Sequence, residues 1–416
     1  MNDFSLMGKL LDGVEVEWRA LGEVAIKISS GGTPQTGVKE YWEGGTIPWM
    51  SSGEVNFETI YKTENFITEA GLKNSSAKFV PKNSLVIALA GQGKTRGKVA
   101  RTRISLTTNQ SLASISLDEK IVNSDYLYHF IKTQYENLRQ ISSGSGTRGG
   151  LNLQMISNYK FPLPCPDNPK KSLKIQTEIV RILDAFTAHT AELTAELTAR
   201  KKQYHYYRDK LLSFNDGEVE WKALGEVGEF IRGGGLQKKD FTETGVGCIH
   251  YGQIYTYYGL FTAKTKSYVS NEFAKKARKA KSGDLVIATT SENDEDVCKA
   301  VAWLGRNEIA VSSDACIYRH TLNSKYVSYF FQTEKFQKQK RQYITGTKVR
   351  RVNADDLAKM AIPVPSPKEQ ARIVAILDKF DALTHSITEG LPREIELRKK
   401  QYEYYRDMLL RFDGKK

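Results

Sequence analysis

Along two stretches of the chain, mostly apolar residues recur in steps that alternate four and three. In the first stretch, about residues 171–213, they fall at Ile179, Leu183, Phe186, Thr190, Leu193, Leu197, Arg200, Tyr204, Tyr207 and Leu211. That spacing keeps one stripe of a helix facing a partner, the heptad seam of a coiled coil. Pro162, Pro164, Pro166 and Pro169 stop the helix upstream. About 43 residues at 1.5 Å each span roughly 65 Å. The second stretch, about 367–411, repeats the seam at Ile373, Leu377, Phe380, Thr384, Ile387 and Leu391, and again at Arg398, Tyr402, Tyr405 and Leu409. Between Phe380 and Arg398 it holds four more residues than between Phe186 and Arg200. Such a stutter unwinds a seam locally, and Gly390 and Pro392 lie within it, so a kink or break is expected there. The pattern predicts two long helices paired antiparallel, with a globular module at each end. The alternative is two independent amphipathic helices, each capping its own domain.

Outside these stretches the apolar runs are short and strand-like. They are Ile47–Met50, Leu85–Leu89 and Ser114–Leu117 in one half, and Cys248–Tyr251, Leu285–Ala288 and Ala315–Tyr318 in the other. A helix late in each half carries Tyr126–Ile131 or Tyr326–Phe331, whose aromatics suit a core better than base stacking.

These parallels reflect an internal duplication with a period of about 200 residues. Gly13-Val14-Glu15-Val16-Glu17-Trp18 returns as Gly217-Glu218-Val219-Glu220-Trp221. Phe161-Pro162-Leu163-Pro164 returns as Ile362-Pro363-Val364-Pro365, and Glu178–Phe186 as Arg372–Phe380. Arg200-Lys201-Lys202-Gln203-Tyr204-His205-Tyr206-Tyr207-Arg208-Asp209 returns from Arg398 with Glu403 in place of His205. Residues 25–160 and 228–361 share only a skeleton. Each repeat thus couples a preserved frame to a variable module. Start and finish fall at one phase of the repeat, which predicts a nearly closed arrangement with neighbouring termini. The expected fold is α+β: two mixed α/β modules in pseudo-twofold arrangement, separated by two long antiparallel coiled-coil helices. Domains are expected at 1–160 and 216–361, with spacer helices at 161–215 and 362–416.

Composition narrows the function. Sixty-one Lys and Arg against 48 Asp and Glu give a net charge of +13, which fits a polyanionic partner. No run of about 18 apolar residues and no signal-peptide pattern occurs, so a cytoplasmic protein is expected. Cys165, Cys248, Cys298 and Cys316 form no Cys-x-x-Cys pair and no histidines cluster with them, so no metal site is expected.

The variable modules carry polar, basic loops after their strands. Gln92, Lys94, Thr95, Arg96 and Lys98 lie in a glycine-rich loop, with Arg101 and Arg103 following. It is not a phosphate-binding loop of the nucleotide-hydrolase kind, because Ala88 stands where the first glycine is required and no helix follows. The second module has Thr290 and Ser291 there. Thr147 and Arg148 in one module match Thr347, Lys348, Arg350 and Arg351 in the other. Ser51 and Ser52, and Tyr251, Gln253 and Tyr255, follow strands. All are candidates for DNA contact, since Arg, Lys and Gln read base edges or clamp phosphates; for each, a solvated turn is the alternative. No catalytic constellation is found. The methyltransferase motif Asn/Asp-Pro-Pro-Tyr/Phe is absent, and Asp294-Glu295-Asp296 with Lys299 reads as a solvated loop.

The duplicated Gly-Glu-Val-Glu-Trp, the Arg-Lys-Lys-Gln-Tyr-x-Tyr-Tyr-Arg-Asp ending and the run Thr190-Ala191-Glu192-Leu193-Thr194-Ala195-Glu196-Leu197 resemble a type I restriction–modification specificity (S) subunit of the type IC group. The resemblance spans essentially the whole chain. It implies a subunit without catalysis of its own, whose two modules each read half of an asymmetric bipartite DNA target. It implies that the helices dock two methyltransferase subunits, which use S-adenosylmethionine. Restriction subunits, using ATP and Mg, would join the larger complex. The heptad spacing itself places the spacer coiled-coil contacts at Ile179, Leu183, Phe186, Leu193, Leu197, Tyr204, Leu211, Ile373, Leu377, Phe380, Tyr402 and Leu409. Other readings of the same residues are the recognition half of a different restriction or methylation enzyme, and a stand-alone duplicated nucleic-acid-binding protein.

Overall fold

The computed structural model describes residues 11, 13–91, 95–142, 150–215, 217–386 and 388–412. The chain divides into two compact units. One comprises Met1–Glu192 with Glu396–Lys416, the other Leu193–Ile395. The dividing points fall inside helices, so the helix Pro169–Leu211 contributes its first half to one unit and its second half to the other.

Each unit is founded on the repeated segments. In the first, Val16–Ala20 pairs antiparallel with Lys160–Pro164, placing Trp18 opposite Pro162. In the second, Glu220–Ala223 pairs with Ala361–Val364, placing Trp221 opposite Pro363. A two-stranded ribbon tolerates these prolines because each strand keeps an unpaired edge.

Above this ribbon both units build one topology. The larger sheet of the first runs Ala25–Ser30, Leu112–Leu117, Leu85–Ala88, Val99–Thr102 and Thr59–Ile60 in spatial order. That of the second runs Gly228–Arg232, Ala315–His320, Leu285–Ala288, Ala300–Trp303 and Phe261–Thr262. A smaller sheet in each contains a parallel pair, Trp49 beside Thr107 and Cys248 beside Ala310. The second unit adds one edge strand, Phe241–Thr242. The central strands Leu85–Ala88 and Leu285–Ala288 are wholly buried. Their alternation serves two cores. Leu85 and Ile87 pack with Tyr126 and Phe130, whereas Val86 and Ala88 pack with Met50 and Leu106. Leu285 and Ile287 likewise join Tyr326 and Phe330, whereas Val286 and Ala288 join Ile249 and Val311. A strand covered on both faces reads as a continuous apolar run, which is why this segment survives in both halves.

The spacer helix spans Pro169–Leu211, 43 residues. Ile179 and Leu183 are buried, and Phe186 stacks on Tyr405 at 5.1 Å within the first unit. Tyr402 is half-buried, and Leu409 is fully buried in the same core. Leu193 and Leu197 are half-buried between exposed neighbours, as the seam requires. In the second unit Tyr204 packs with Ile373 and Leu377, and Tyr207 stacks on Phe380 at 5.6 Å. Leu211 is only half-buried, and Leu212 takes the buried place at the helix end.

The second stretch is not one helix. It consists of Pro367–His385 and Gly390–Leu410. Gly390 sets the break: its φ is +78°, and an added Cβ would meet the carbonyl oxygens of Ala382 and Leu383. Pro392 sits in the first turn of the following helix, where its missing N–H leaves no bond unmade. No helix among the described residues is long and apolar enough to cross a membrane.

Candidate nucleic-acid interface

In the second module the strand Val246–Ile249 ends at His250, and a helix Tyr251–Thr256 begins at once. The strand expected to reach Tyr251 therefore stops two residues earlier, because His250 caps the helix: its Nδ1 accepts from Gly252 N at 3.2 Å. Gln253 completes the cap, its Oε1 accepting from His250 N at 3.1 Å while its Nε2 donates to Ser267 at 2.7 Å. Both ends of the Gln253 amide are thus engaged within the module. The first module repeats the device with a carboxylate. Glu54, 1% exposed, accepts from Ser51 N at 2.6 Å and from Glu64 N at 2.9 Å. These turns leave Asn56 exposed and Ser52 half-buried in one module, and Tyr251 and Tyr255 half-buried in the other.

The second module's turn opens on a cleft of about 740 Å³. The structure gathers there Tyr251, Gln253, Tyr255, Thr290 and Ser291, candidates from separate parts of the chain. Thr290–Ser291 pairs as a short antiparallel ladder with Arg350–Arg351. The Tyr255 hydroxyl donates to the Thr290 carbonyl at 2.5 Å, and burial holds that phenol well above its usual range. Arg350 pairs with Asp294 at 2.8 Å and also donates to the Gly346 carbonyl. The acidic loop is solvated as expected, with residues 292–295 exposed, and it is also tied down at Asp294. Lys340, fully buried, fastens it from below by donating to the carbonyls of Glu295 and Val297, both at 2.9 Å. Thr347 and Lys348 are exposed at the tip of the loop closed by the Thr345–Arg351 bridge, and Arg351 is exposed at its base.

Sequence reasoning missed Lys238, Lys266, His250, Asn293 and Asp296, which also line the cleft. They come from turns with no local signature, and only the sheet brings them together. Burial, with Lys238 nearby, holds the His250 imidazole below its usual range, so it is neutral at pH 7.

In the first module Gln92, Lys94, Thr147 and Arg148 lie outside the described residues. Thr95 is buried, its hydroxyl donating to the Ala90 carbonyl, and Arg96 is half-buried. Lys98 donates to Asn56 at 2.7 Å beside a cavity of about 250 Å³, lined also by Glu58, Lys132 and Tyr135. Arg101 and Arg103 do not join this surface. Arg101 contacts Asp125 and Asp184, both at 3.1 Å, and Arg103 contacts Asp125 at 2.7 Å. Ion pairing engages them instead: Arg101 on the strand Val99–Thr102 and Arg103 just beyond its end meet carboxylates of the module helix and the spacer helix.

The two modules therefore present one framework with different surfaces, and known proteins share that plan. The family model described as the type I restriction modification DNA specificity domain matches residues 13–200 and again 217–397. The chain is 36% identical to the EcoR124I/EcoR124II type I restriction enzyme specificity subunit of Escherichia coli, over 99% of this chain and 98% of that one. It is 32% identical to the EcoprrI specificity subunit of the same species, over 94% and 93%. A putative type I specificity subunit of Haemophilus influenzae is 31% identical over 99% of each chain. Among solved structures, a chain from work on assembly and conformational transition of the type I R-M system has a TM-score of 0.63 at 15% identity, covering 96% of this chain and 98% of its own. The type I S subunit from M. genitalium has a TM-score of 0.54 at 14% identity, covering 96% and 97%. The last two likenesses speak to the fold. With two family-model matches spanning most of its length and relatives aligned nearly end to end, the chain belongs to the family of type I restriction–modification specificity subunits.

Proposed function

We propose that this chain gives sequence specificity to a type I restriction–modification complex and performs no chemistry itself. Residues 1–160 and 216–361 each read half of a bipartite DNA target. The spacer segments 161–215 and 362–416 hold the readers apart and dock two methyltransferase subunits. S-adenosylmethionine belongs to those partners, and ATP with Mg to the restriction subunits. The complex acts on DNA in the cytoplasm. The observation that carries this reading is the duplication itself. One topology occurs twice on one repeated base, while the strand-end turns and loops differ between copies. A device that reads an asymmetric sequence needs that combination.

In the second module, Tyr251 and Ser291 face the bases, backed by Tyr255 and the buried Thr290, and Thr347, Lys348 and Arg351 meet phosphates. In the first, Ser52, Lys98, Gln92, Lys94, Thr147 and Arg148 do the corresponding work. Methylome sequencing of a host carrying this chain with its methyltransferase partner tests the reading, followed by exchange of residues 25–160 alone. One half of the motif should change. Alteration of both halves would refute the modular assignment.

A further inference from the structure

Although the modules diverge, each is fastened to its spacer helix at two equivalent positions, Gln176 with Asp184 and Gln370 with Asp378. The glutamine contact is the same in both units. Gln176 accepts from Asn123 N at 2.8 Å, and Gln370 from Asn323 N at 2.9 Å. Each asparagine caps the module helix that carries the core tyrosine. The aspartate contact differs. In the second unit Asp378 receives Lys325 Nζ at 2.6 Å and the Tyr329 hydroxyl at 2.7 Å. In the first, the positions matching Lys325 and Tyr329 are Asp125 and His129. His129 Nε2 meets Asp184 at 3.0 Å. Asp125 would repel it, but Arg101 stands between the two carboxylates and contacts both at 3.1 Å. By strand register Arg101 matches Ala302, since Leu85 pairs with Arg101 and Leu285 with Ala302. One module thus supplies Arg101 plus Asp125 where the other supplies Ala302 plus Lys325. Charge reversal at one place is offset at the other, and a cation faces the helix aspartate in both.

We infer that Asp184 and Asp378 are a common latch that fixes each DNA-reading module on its spacer helix, and thereby sets how strictly the complex selects the distance between half-sites. This rests on the specificity-subunit reading above. Among the described residues, the latch side chains contact none of the residues assigned above to DNA, so they are positioning residues: half-site sequences should not depend on them. A loosened latch lets the module tilt on the helix and accept neighbouring spacings.

The test uses the full chain with its methyltransferase partner. The ratio of methylation at the native spacing to that at spacings one base pair longer or shorter is read from the methylome. Arg101→Ala leaves Asp125 facing Asp184, and Asp125→Lys crowds three cations. Each should lower the ratio about tenfold with both half-sites unchanged. The double variant R101A/D125K places a single lysine opposite Asp184, as in the other module, with Arg103 still beside it, and should recover part of the ratio. Tyr329→Phe, which removes one hydroxyl and leaves the fold intact, should lower the ratio in the same direction by less. A merely structural role would reduce methylation at all spacings together. An unchanged ratio in the single variants and Y329F, or a folded double variant no better than either single, overturns the latch. If the wild-type complex methylates no bipartite site, the specificity reading itself fails.

Discussion

Lys340 offers the sharpest physical test of how the second module's cleft is held. Replacing it with Met conserves most of the volume and removes the ammonium that donates to the carbonyls of Glu295 and Val297. Glu295 is exposed, so water can replace its lost donor; Val297 is buried, so its carbonyl is stranded. An unsatisfied buried acceptor costs about 1–3 kcal/mol. Removing a desolvated charge returns part of that. The net local loss is about 1–2 kcal/mol, which corresponds to about 5–30-fold faster hydrogen exchange of amides 292–298. The pH dependence has a defined sign. Burial holds the Lys340 ammonium below the usual lysine range. Between its folded and unfolded pKa values the unfolded chain therefore binds more protons. Stability rises as pH climbs through the folded value and levels off above the unfolded value, about 10.4. K340M should lose that rise. Exchange mass spectrometry and melting from pH 7 to 10.5 check both statements. Exchange within about twofold of wild type, with the alkaline rise retained, would refute the claim that Lys340 fastens the loop.

Three further outcomes are expected. Gly390→Ala should destabilise by about 2–4 kcal/mol, combining left-handed strain with a clash against two carbonyls, whereas Gly217→Ala, at φ +84° with open space around it, carries only the strain of about 1–2 kcal/mol; equal losses on chemical denaturation would contradict the assigned hinge. Lys348→Ala should flatten the slope of log affinity against log salt by about 0.9 without changing the methylated motif, as read by titration of duplex DNA at several salt concentrations. Insertion of one further Thr-Ala-Glu-Leu unit after Leu197 lengthens the spacer helix by about 6 Å, so the spacer in the methylated motif should grow by about one or two base pairs while both half-sites persist.

The sequence alone carried much of the architecture, for a physical reason. Periodicity and repetition are local properties of a chain, and a seam stepping four and three states its own helix. The spacer helix Pro169–Leu211 was legible to within two residues at each end, as was the interruption at Gly390. The repeated segments were legible as a frame, although not that they pair as Val16–Ala20 with Lys160–Pro164 across the whole module. What only the tertiary structure decided is which polar side chains are occupied. Arg101 and Arg103 look like DNA-binding residues because a basic loop precedes them, yet Asp125 and Asp184 claim them. Gln253 looks like a base reader, yet its amide closes a helix cap. The acidic run at Asp294 is solvated, as its composition suggests, but its anchoring by Arg350 and Lys340 has no local signature. Ion pairs and caps join residues tens of positions apart. Their partners are set by strand register and helix packing, which no local pattern encodes.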